Sequence, residues 1–495
     1  MKIMAVMAVC FALFGNFTAC SLFNGAGPEV EEPIEEPLPD FGNGKVGPRE
    51  NTADDPADGI YVSPSGNDAT ADGSIDKPYK SINTALGKAV PPATIILRGG
   101  TYKEGRDVRV RKSNITIKSA KGEWAVIDLT TLVSGHEEDS AVEFYAENQL
   151  TGGSVTNCKL QNVEVKGGFY AVSFDTKWQW NEPGEPPGPG ASDIIIEDCI
   201  LHDSRNDVIK LKPNSKNITI RYNEIYNSGR EHADKPDFNT GEHNSEGIDN
   251  VNSDNMHVHN NYIHDICSTG IYAKGGAADA IIENNLIERT FAAGIQVGFD
   301  TNLEFMEDGS EGPGFAYYEN FQGIVRNNLI IDAGWEGIGL YASKDAQVYN
   351  NTIVNAVCGV RKYHSPIYFG VATQDGQTGF GHPANVNPKI HHNIVSQPSS
   401  FNNRMIEIRY ANEYGGMSAL SGNPVMNDNC YYISGKSASF EDNRPGSTFT
   451  GGLAAWKTHI SGDSGSIEVN PALDDTDYMA TNAQCTGMGI QVSPY

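Results

Sequence analysis

The sequence predicts an all-β protein whose body is a right-handed parallel β-helix, a solenoid built from coils of short stacked strands. Two recurring phrases predict this fold. The first is a short β-like run, an Asn-Asn pair or a substitute, and a second short run; the other is a short run that mostly begins with Gly followed by Ile or Val. Repeats of this kind require several neighbours, because one coil cannot bury its own apolar face.

The first phrase recurs with a period near 24 residues. Its key positions are Cys199, Asn223, Asn261, Asn285, Asn328, Asn351 and Asn393, with successive spacings of 24, 38, 24, 43, 23 and 42 residues. The long spacings equal one period plus an inserted loop, and Cys158 extends the series one coil upstream. Asparagines on successive coils can stack their amide groups, so the pattern predicts a hydrogen-bonded ladder at one bend of the solenoid.

The second phrase predicts one polar face of the solenoid. By strand alternation, its inward positions are Ile209, Ile248, Ile271, Ile295 and Ile338. Its outward positions are Lys210, Asp249, Tyr272, Gln296 and Arg361, and two residues further on stand Lys212, Lys274, Tyr341 and Tyr363. Cations, acids and tyrosines on one stripe suit a sugar chain, since tyrosine faces pack on pyranose rings and cations meet uronate carboxylates. A solvated sheet face is the alternative interpretation.

The first 20 residues are predicted to be a targeting signal. Lys2 gives a short positive region, and residues 3–14 form an apolar stretch too short to span a bilayer. Residues 17–20, Phe-Thr-Ala-Cys, resemble a lipoprotein cleavage box. The sequence therefore predicts lipidation of Cys20 and a secreted protein anchored to the outer membrane or cell surface. Ordinary signal cleavage nearby is the alternative.

Residues 21–58 are predicted to be an acidic linker rich in Pro and Glu, because they carry too few large apolar residues to offset their ordering entropy. Residues 29–58 hold ten acids against Lys45 and Arg49, a local charge of −8 out of −27 for the chain. Acidity of this kind argues against nucleic acid as a partner.

Residues 59–495 are expected to form the β-helix as a monomer. Inserted loops are predicted near residues 176–190, 230–245, 300–320 and 364–385. Long loops on one side of a solenoid usually build its binding wall. We expect His232, His243 and His364, which lie in these loops, to be surface histidines.

Carboxylates gather at one level of the predicted stack. Asp203, Asp207, Glu246 and Asp249 fall on adjacent coils, near the entry to the second-phrase strands. Hard oxygen ligands on rigid neighbouring strands can hold calcium, so these residues are candidate metal ligands. The alternative is turn chemistry, since Asp is common at bends, where its side chain bonds to local backbone.

These groups suit β-elimination on a uronic-acid polymer. The proton on C5 of a uronate is weakly acidic; a cation must neutralise the adjacent carboxylate and a base must take the proton. Calcium or Arg can do the first, and a lysine can do the second. We expect Lys274 to be the base, with Lys212 as second choice. The residues expected to bind the sugar chain are Arg361, Tyr272, Lys210 and Tyr341.

The region around residues 59–102, with the segments DGIYVSPSGNDATADG and ATIILRGGTYKE, resembles the first coils of pectate-lyase-like β-helix proteins. The resemblance implies a short capping helix around residues 79–90. The tail, with NCYYISG and LAAWKTHISGDSGSIEVNPAL, is similar to the closing segment of that superfamily.

The calcium and lysine pattern is most similar to the family 9 pectate lyases. This resemblance implies a calcium-dependent lyase in which Asp207, Glu246 and Asp249 hold the metal and Lys274 is the base. The segment SEGID has Ser245 where that family has an acid, and Lys274 stands one or two places from the family's lysine.

Three other functions remain open: an alginate or glycosaminoglycan lyase, a glycoside hydrolase, and a non-catalytic cell-surface protein that binds glycan. The DPHE motif of alginate C5-epimerases and the clustered Asp residues of polygalacturonases are missing from the sequence. A binding stalk has no reason to pair lysines with acids at one level, so this cluster favours an enzyme. An acidic polysaccharide is the expected partner.

Overall fold

The computed structural model describes residues 44–131, 134–145, 154–176, 190–232, 244–302, 305–306, 317–359, 364–373 and 382–495. Over these residues the chain winds into coils whose strands form three long sheets, here called sheets 1, 2 and 3. Strands of successive coils pair in parallel, as in Ile209–Leu211 with Ile248–Val251. The predicted fold class is therefore confirmed.

Sheet 1 carries the opening run of the first phrase. Its strands are Ile60–Val62, Ala93–Leu97, Ile115–Ser119, Thr156–Gln161, Ser192–Glu197, Lys216–Arg221, His257–His259, Ile281–Glu283, Ile324–Arg326, Gln347–Tyr349, Lys389–His391 and Val425–Asn427. The apolar side chains that alternate along each strand point inward. Ile196, Ile220 and Val258 lie in register on successive coils and are fully buried.

Sheet 2 carries the closing run of the same phrase. Its strands are Gly100–Tyr102, Ala125–Leu129, Val163–Gly167, Ile200–His202, Glu224–Tyr226, Tyr262–Ile266, Leu286–Thr290, Leu329–Ala333, Thr352–Val354, Ile394–Gln397 and Cys430–Ile433. Leu201, Ile225 and Ile263 stack on the inner side and are fully buried. Sheets 1 and 2 thus cover the core from two sides.

Sheet 3 carries the second phrase. Its strands are Val108–Val110, Val142–Phe144, Val172–Phe174, Ile209–Leu211, Ile248–Val251, Ile271–Lys274, Ile295–Val297, Ile338–Tyr341, Ile367–Gly370, Ile406–Ile408, Phe440–Asp442 and Phe449–Gly451. The five isoleucines predicted to point inward are all fully buried. The last two strands pair antiparallel and end the stack.

Two smaller sheets and several short helices complete the described elements. A short sheet contains Ala277–Ala278, Asn320–Phe321, Ser343–Lys344, Asn385–Val386 and Leu420–Ser421, and a hairpin contains Tyr410–Ala411 and Met417–Ser418. The α-helices are Ile82–Lys88 and Leu453–Ile460, and the 3₁₀-helices are Arg230–His232, Asn412–Tyr414 and Ala483–Cys485.

The bend between sheets 1 and 2 contains the predicted asparagine ladder. Each ladder Asn donates its side-chain amide to the side-chain oxygen of the next, at 3.0 Å, from Asn223 to Asn429. The residue before each of these asparagines is left-handed, with φ of 50° at Asn284 and 55° at Asn260. Asn tolerates this conformation better than most residues, which explains the Asn-Asn pairs.

Helices close both ends of the core. The predicted N-terminal cap is confirmed as Ile82–Lys88, where the Ser81 hydroxyl accepts a hydrogen bond from the Thr84 amide at 3.2 Å. Ile82 faces the core and is fully buried. At the other end, Trp456 is fully buried and stacks on Phe440 with ring centroids 5.4 Å apart. These caps shield the apolar interior that the first and last coils would otherwise expose.

The predicted linker ends earlier than residue 58. The Arg49 side chain donates two hydrogen bonds to Asp198, at 2.7 and 2.8 Å, and its guanidinium lies 3.9 Å from the Tyr222 ring centroid. Gly47 donates its amide to the Asn260 carbonyl at 3.0 Å. Residues 44–55, here called the N-terminal strap, therefore lie along the bend between sheets 1 and 2. Individual hydrogen bonds of this kind leave no trace in composition, from which the linker was predicted.

The cysteines of the described residues form no disulfide. Cys158 and Cys199 are buried thiols, and the Cys430 and Cys485 sulfurs lie 3.6 Å apart. Among the described residues, no helix is long and apolar enough to cross a membrane.

Candidate functional site

The outer side of sheet 3 faces an open cleft of about 690 Å³. Lys210, Asp249, Tyr272 and Gln296 lie directly beside one another on successive coils, as predicted. Lys210, Asp249 and Lys274 all line the cleft. The strand register that was calculated from the repeat is therefore confirmed over these coils.

Three carboxylates meet beside this cleft, and Asp249 is the one of them that lines it. One oxygen from each of Asp207, Glu246 and Asp249 lies within 4.8 Å of the others, and all three side chains are buried. The Glu246 amide donates to Asp207 Oδ1 at 2.9 Å, which ties two neighbouring coils together just before their strands begin. Three of the four predicted metal ligands are thus in one cluster, here called the acidic cluster.

Two lysines pair with the acidic cluster. Lys210 donates a hydrogen bond to Asp249, and its Nζ lies 3.2 Å from Asp207 Oδ2. Lys274 Nζ lies 3.8 Å from Asp249 Oδ1 and 4.3 Å from the Tyr272 ring centroid. The lysines come from adjacent strands in sheet 3, so their spacing is fixed by the coil-to-coil register. Asp249 is the carboxylate that links both ammonium groups.

Burial and neighbouring charges give the three carboxyls different pKa values. Burial raises the pKa of Glu246 well above its usual range, and the charges of Asp207 and Asp249 act in the same direction. Burial also raises the pKa of Asp207, against the opposing effect of Lys210. At Asp249, Lys210 and Lys274 outweigh burial, so the pKa is lowered. The cluster therefore holds a firmly ionised Asp249 beside carboxyls that accept protons more readily.

Lys212 lies elsewhere in the same cleft. Its Nζ bonds to Asp175 Oδ1 at 2.8 Å, and its side chain is 25% exposed. It does not contact the acidic cluster among its described partners. A lysine that is partly open to the cleft and paired with one carboxylate is well placed to bind an anionic group.

The acidic cluster fits a calcium ion in the chemistry of its donors. Asp207 Oδ2, Glu246 Oε2 and Asp249 Oδ1 are buried and accept no hydrogen bond from the described residues. Buried carboxylate oxygens that accept no hydrogen bond are suitable calcium ligands, and Lys210 and Lys274 lie near two of these three atoms. The Lys210 ammonium contacts two of the same carboxylates, so a metal ion and Lys210 would compete for them.

Asp203 does not join this cluster, contrary to prediction. It bonds to His202 Nδ1 at 3.0 Å and to Asn227 Nδ2 at 3.2 Å. Asp203 follows the sheet 2 strand Ile200–His202 in a left-handed conformation, with φ of 56°. The chain turns there, before it reaches sheet 3. At Asp203 the turn-chemistry interpretation holds.

Tyr341 was predicted to bind sugar in the cleft, but it is buried. Its exposed fraction is 3%, and its hydroxyl donates to Glu336 Oε1 at 2.7 Å. Phe299 packs against it edge-on, with ring centroids 5.2 Å apart. A chain segment that the alternation pattern does not include therefore covers the tyrosine. Tyr272 is likewise covered, since Phe299 stacks on it at 5.3 Å.

Arg361, Tyr363 and Cys20 lie outside the described residues. In the coil of Arg361, the sheet 3 strand is Ile367–Gly370, whose Tyr368 pairs with Gly339. The sequence contains two β-like runs in this coil, and the sheet 3 strand is the later one. Alternation alone could not distinguish them.

His364 is buried, not at the surface. It pairs with Glu336, and its ring stacks on Tyr368 with centroids 4.5 Å apart. Gln296 Nε2 donates to the same carboxylate at 2.6 Å. Burial alone would raise the pKa of Glu336, but the pairing with His364 outweighs it and the pKa is lowered. Gln296, the neighbour of Tyr272 on the next coil, therefore belongs to a second buried polar group together with Glu336 and His364.

Two acids beside the cleft, Asp300 and Glu319, are not predicted from the sequence. Asp300 lines the cleft together with Lys274. Glu319 is fully buried and bonds to the chain next to both of them. Both acids were inside a predicted loop, where no periodicity assigns a position to a side chain.

Residues 140–308 match the family model described as a right-handed β-helix region. The match covers about a third of the chain and agrees with the right-handed parallel β-helix fold described above. Among curated proteins, pectate lyase PEL9 of Emericella nidulans is 40% identical to this β-helix protein over 74 residues, which are 14% of the chain and 18% of that protein. The uncharacterized protein YwoF of Bacillus subtilis is 26% identical over 111 residues, 22% of the chain and 23% of that protein. The predicted resemblance to pectate-lyase-like proteins is confirmed at the level of fold and of this local match.

The matched part spans about a fifth of the length of these curated relatives. Two solved structures also align with the β-helix protein. Pectate lyase Pel9A has a TM-score of 0.41 and 14% identity over 74% of this chain and 80% of that one. A rhamnogalacturonan lyase has a TM-score of 0.47 and 12% identity over 71% of this chain and 85% of that one.

Proposed function

We propose that this protein is a polysaccharide lyase that cleaves a uronic-acid polymer, such as pectate, by calcium-assisted β-elimination. The observation that carries the proposal is the position of Lys274. Its ammonium nitrogen lies 3.8 Å from Asp249 of the acidic cluster, on the wall of an open cleft. A strand-borne lysine beside grouped carboxylates is the pairing of base and cation site that this elimination requires.

Lys274 is the proposed base. In its amine form it removes the proton from C5 of the uronate, and its position is fixed by the strand Ile271–Lys274 and by contact with Tyr272. Asp207, Glu246 and Asp249 are the proposed calcium ligands. Calcium bound there would neutralise the uronate carboxylate and so make the C5 proton more acidic.

Lys212 and Lys210 are the proposed contacts for further carboxylates of the polymer. Lys212 is partly exposed to the cleft, which supports a role in binding. Lys210 is almost enclosed by Asp207 and Asp249, so it would reach the sugar chain only when calcium takes its place between them. Arg361, from a coil beyond Lys274, is proposed to extend the contact surface.

The proposed location is outside the cell, with a lipid on Cys20 as anchor. The lipoprotein-like box at residues 17–20 supports this location. A polymer too large to enter a cell must be cut outside it, which agrees with a secreted lyase. Retention in the membrane fraction, lost in Cys20→Ala, would test the anchor.

Lyase activity is tested by the ultraviolet absorbance of the unsaturated product, on pectate, alginate and glycosaminoglycans, with calcium or with chelator. We expect a calcium-dependent rise on one polymer that is abolished in Lys274→Ala. Lys216→Ala is the matched control, because Lys216 is an exposed strand lysine of sheet 1. A wild-type protein that is folded yet inactive on every polymer would contradict the proposal. Retained polymer binding in that case would identify a glycan-binding protein.

A further inference from the structure

A buried carboxylate holds two segments of the cleft wall together. Glu319 Oε2 accepts hydrogen bonds from the Gly275 amide and from the Thr301 hydroxyl, both at 2.7 Å. Glu319 Oε1 accepts from the Thr301 amide at 2.8 Å. Gly275 directly follows Lys274, and Thr301 directly follows Asp300. Glu319 therefore fixes the backbone at Lys274 relative to the backbone at Asp300.

A histidine completes this clamp. The His382 side chain is fully buried, and its Nε2 lies 3.2 Å from Glu319 Oε1 and 3.0 Å from the Thr301 carbonyl oxygen. Its Nδ1 lies 2.9 Å from the Tyr317 carbonyl oxygen. Several bonds thus converge on the short segment around Thr301. This buried network holds the backbone at Thr301 in place, and it thereby fixes the position of the preceding residue, Asp300.

Asp300 itself points to the cleft from this fixed segment. Gly298 directly follows the strand Ile295–Val297 and donates its amide to the Ala273 carbonyl at 2.8 Å. It is left-handed, with φ of 83°, so the chain turns out of sheet 3 there. The Asp300 Oδ1 atom accepts a hydrogen bond from the Thr373 amide at 2.6 Å. Asp300 and Lys274 line the same cleft, and neither belongs to the acidic cluster.

The surroundings of Asp300 make it easier to protonate than an ordinary aspartic acid. Burial raises the pKa of Asp300 to about 6, and the charge of Glu319 acts in the same direction. The Thr373 hydrogen bond, His382 and Lys274 oppose this shift without cancelling it. A carboxyl of this kind can give a proton near neutral pH, which an ordinary aspartic acid, ionised above about pH 4, cannot do efficiently.

We propose that Asp300 donates the proton to the departing sugar oxygen in the reaction in which Lys274 is the base. This role rests on the proposed lyase function and assigns its second proton transfer. An elimination with a poor leaving group requires both a base and an acid. Glu319 holds the backbone beside one of each, Lys274 and Asp300, on the same cleft.

The proton and electron changes balance. The Lys274 amine takes the C5 proton, the C5–H electron pair becomes the C4=C5 double bond, and the bond between C4 and the bridging oxygen breaks. That oxygen leaves with its electron pair and takes the proton from the Asp300 carboxyl. Lys274 then carries the additional proton and Asp300 is ionised, and exchange with water restores both groups.

The test compares Asp300→Asn with the wild type on two uronates that differ in the group on C4. One is the polymer, whose sugar oxygen needs a proton to leave; the other is a synthetic uronate with 4-nitrophenolate on C4, which leaves without one. We expect Asp300→Asn to lower kcat on the polymer by about 100-fold or more, with little change in KM and on the nitrophenyl substrate. The fall in wild-type kcat at rising pH that follows Asp300 ionisation should also disappear.

Asn retains the acceptor for the Thr373 amide, and a melting curve verifies the fold. Asp279→Asn, an exposed turn residue on a nearby coil, is the matched control and should behave as wild type. Equal losses on both substrates would show a structural role and overturn the proposal. Near-wild-type activity of Asp300→Asn, with Lys274→Ala inactive, would reject Asp300 as the acid and leave the lyase standing. A wild type inactive on both substrates would reject the lyase, and this role with it.

Discussion

The ammonium group of Lys210 hydrogen-bonds to the carboxylate of Asp249 on the neighbouring coil of sheet 3. The same group lies 3.2 Å from Asp207. A lysine therefore stands between two carboxylates of the acidic cluster, where it provides the positive charge that a metal ion would provide. Under the proposed function, calcium affinity would be set by competition between the ion and a side chain of the protein itself.

Replacing Lys210 with Met should strengthen calcium binding. Removing one partner from a buried ion pair costs about 3–5 kcal/mol, and a tenfold gain in affinity needs only about 1.4 kcal/mol. We expect at least about a tenfold lower Kd for calcium by titration calorimetry, together with a lower Tm in chelator that calcium restores. Lys216→Met is the control. An unchanged Kd in Lys210→Met would show that calcium does not bind among these carboxylates.

Replacement of Lys212 and replacement of Lys274 should affect different kinetic constants. Lys212→Ala removes a partly exposed cation that pairs with Asp175, so it should raise KM with little effect on kcat. Lys274→Ala removes the proposed base and should abolish kcat. Steady-state rates on the active polymer measure both. The opposite pattern would make Lys212 the base.

Asn328→Ala should destabilise the protein strongly. Asn328 donates to the carbonyls of Ile282 and Arg326 and accepts from the backbone amide of Asn285 at 3.1 Å. Each buried group left without a partner costs about 1–3 kcal/mol, so we expect a loss of about 3 kcal/mol or more in the free energy of unfolding. Denaturant titration measures it. Asn427→Ala, at an exposed strand position, should change stability by less than about 0.5 kcal/mol. Equal losses in the two variants would show that the asparagine ladder does not stabilise the fold.

His391 should make the protein less stable as pH falls. Burial lowers the pKa of His391 to about 4, and the neighbouring His392 and Lys389 add to the effect. The unfolded chain takes up this proton below about pH 6.5, whereas the folded protein does so only near pH 4. Between these values, stability should fall as pH decreases, by at most about 1.4 kcal/mol per pH unit from this residue. Burial also lowers the pKa of His259 to about 4, so His391→Gln should reduce, and not abolish, the slope of denaturant-measured stability over that window. An unchanged slope would contradict the assignment.

The repeat made the fold and part of the site predictable. Asn223 and Asn261 recur at fixed positions because each must bond to the next coil, and Ile248 and Ile271 recur because each must fill the core. This periodicity also fixed the register that brings Lys210, Asp249 and Lys274 to one face. The acidic cluster followed from that register, since Asp207 and Glu246 occupy matching places on adjacent coils.

The remainder of the site depends on segments that leave the repeat. Asp300 reaches the cleft because the chain turns at Gly298, and Glu319 reaches Gly275 from the far side of an insertion. Tyr341 has the correct parity for an outward residue, yet Phe299 covers it. The sequence repeat predicts contacts that recur from coil to coil, so it does not predict contacts that occur only once.

The N-terminal strap affects how the protein would respond to mechanical force. Its first residues bond to Asn260 and Asn284, in the middle of the stack, and Val46 bonds to Pro494 at 3.1 Å. A pull on the chain before Gly44 would thus act on the flank of the rod, where it loads hydrogen bonds along several coils in shear. The first coil and its helical cap would bear little tension, so the solenoid would resist being unwound from its end.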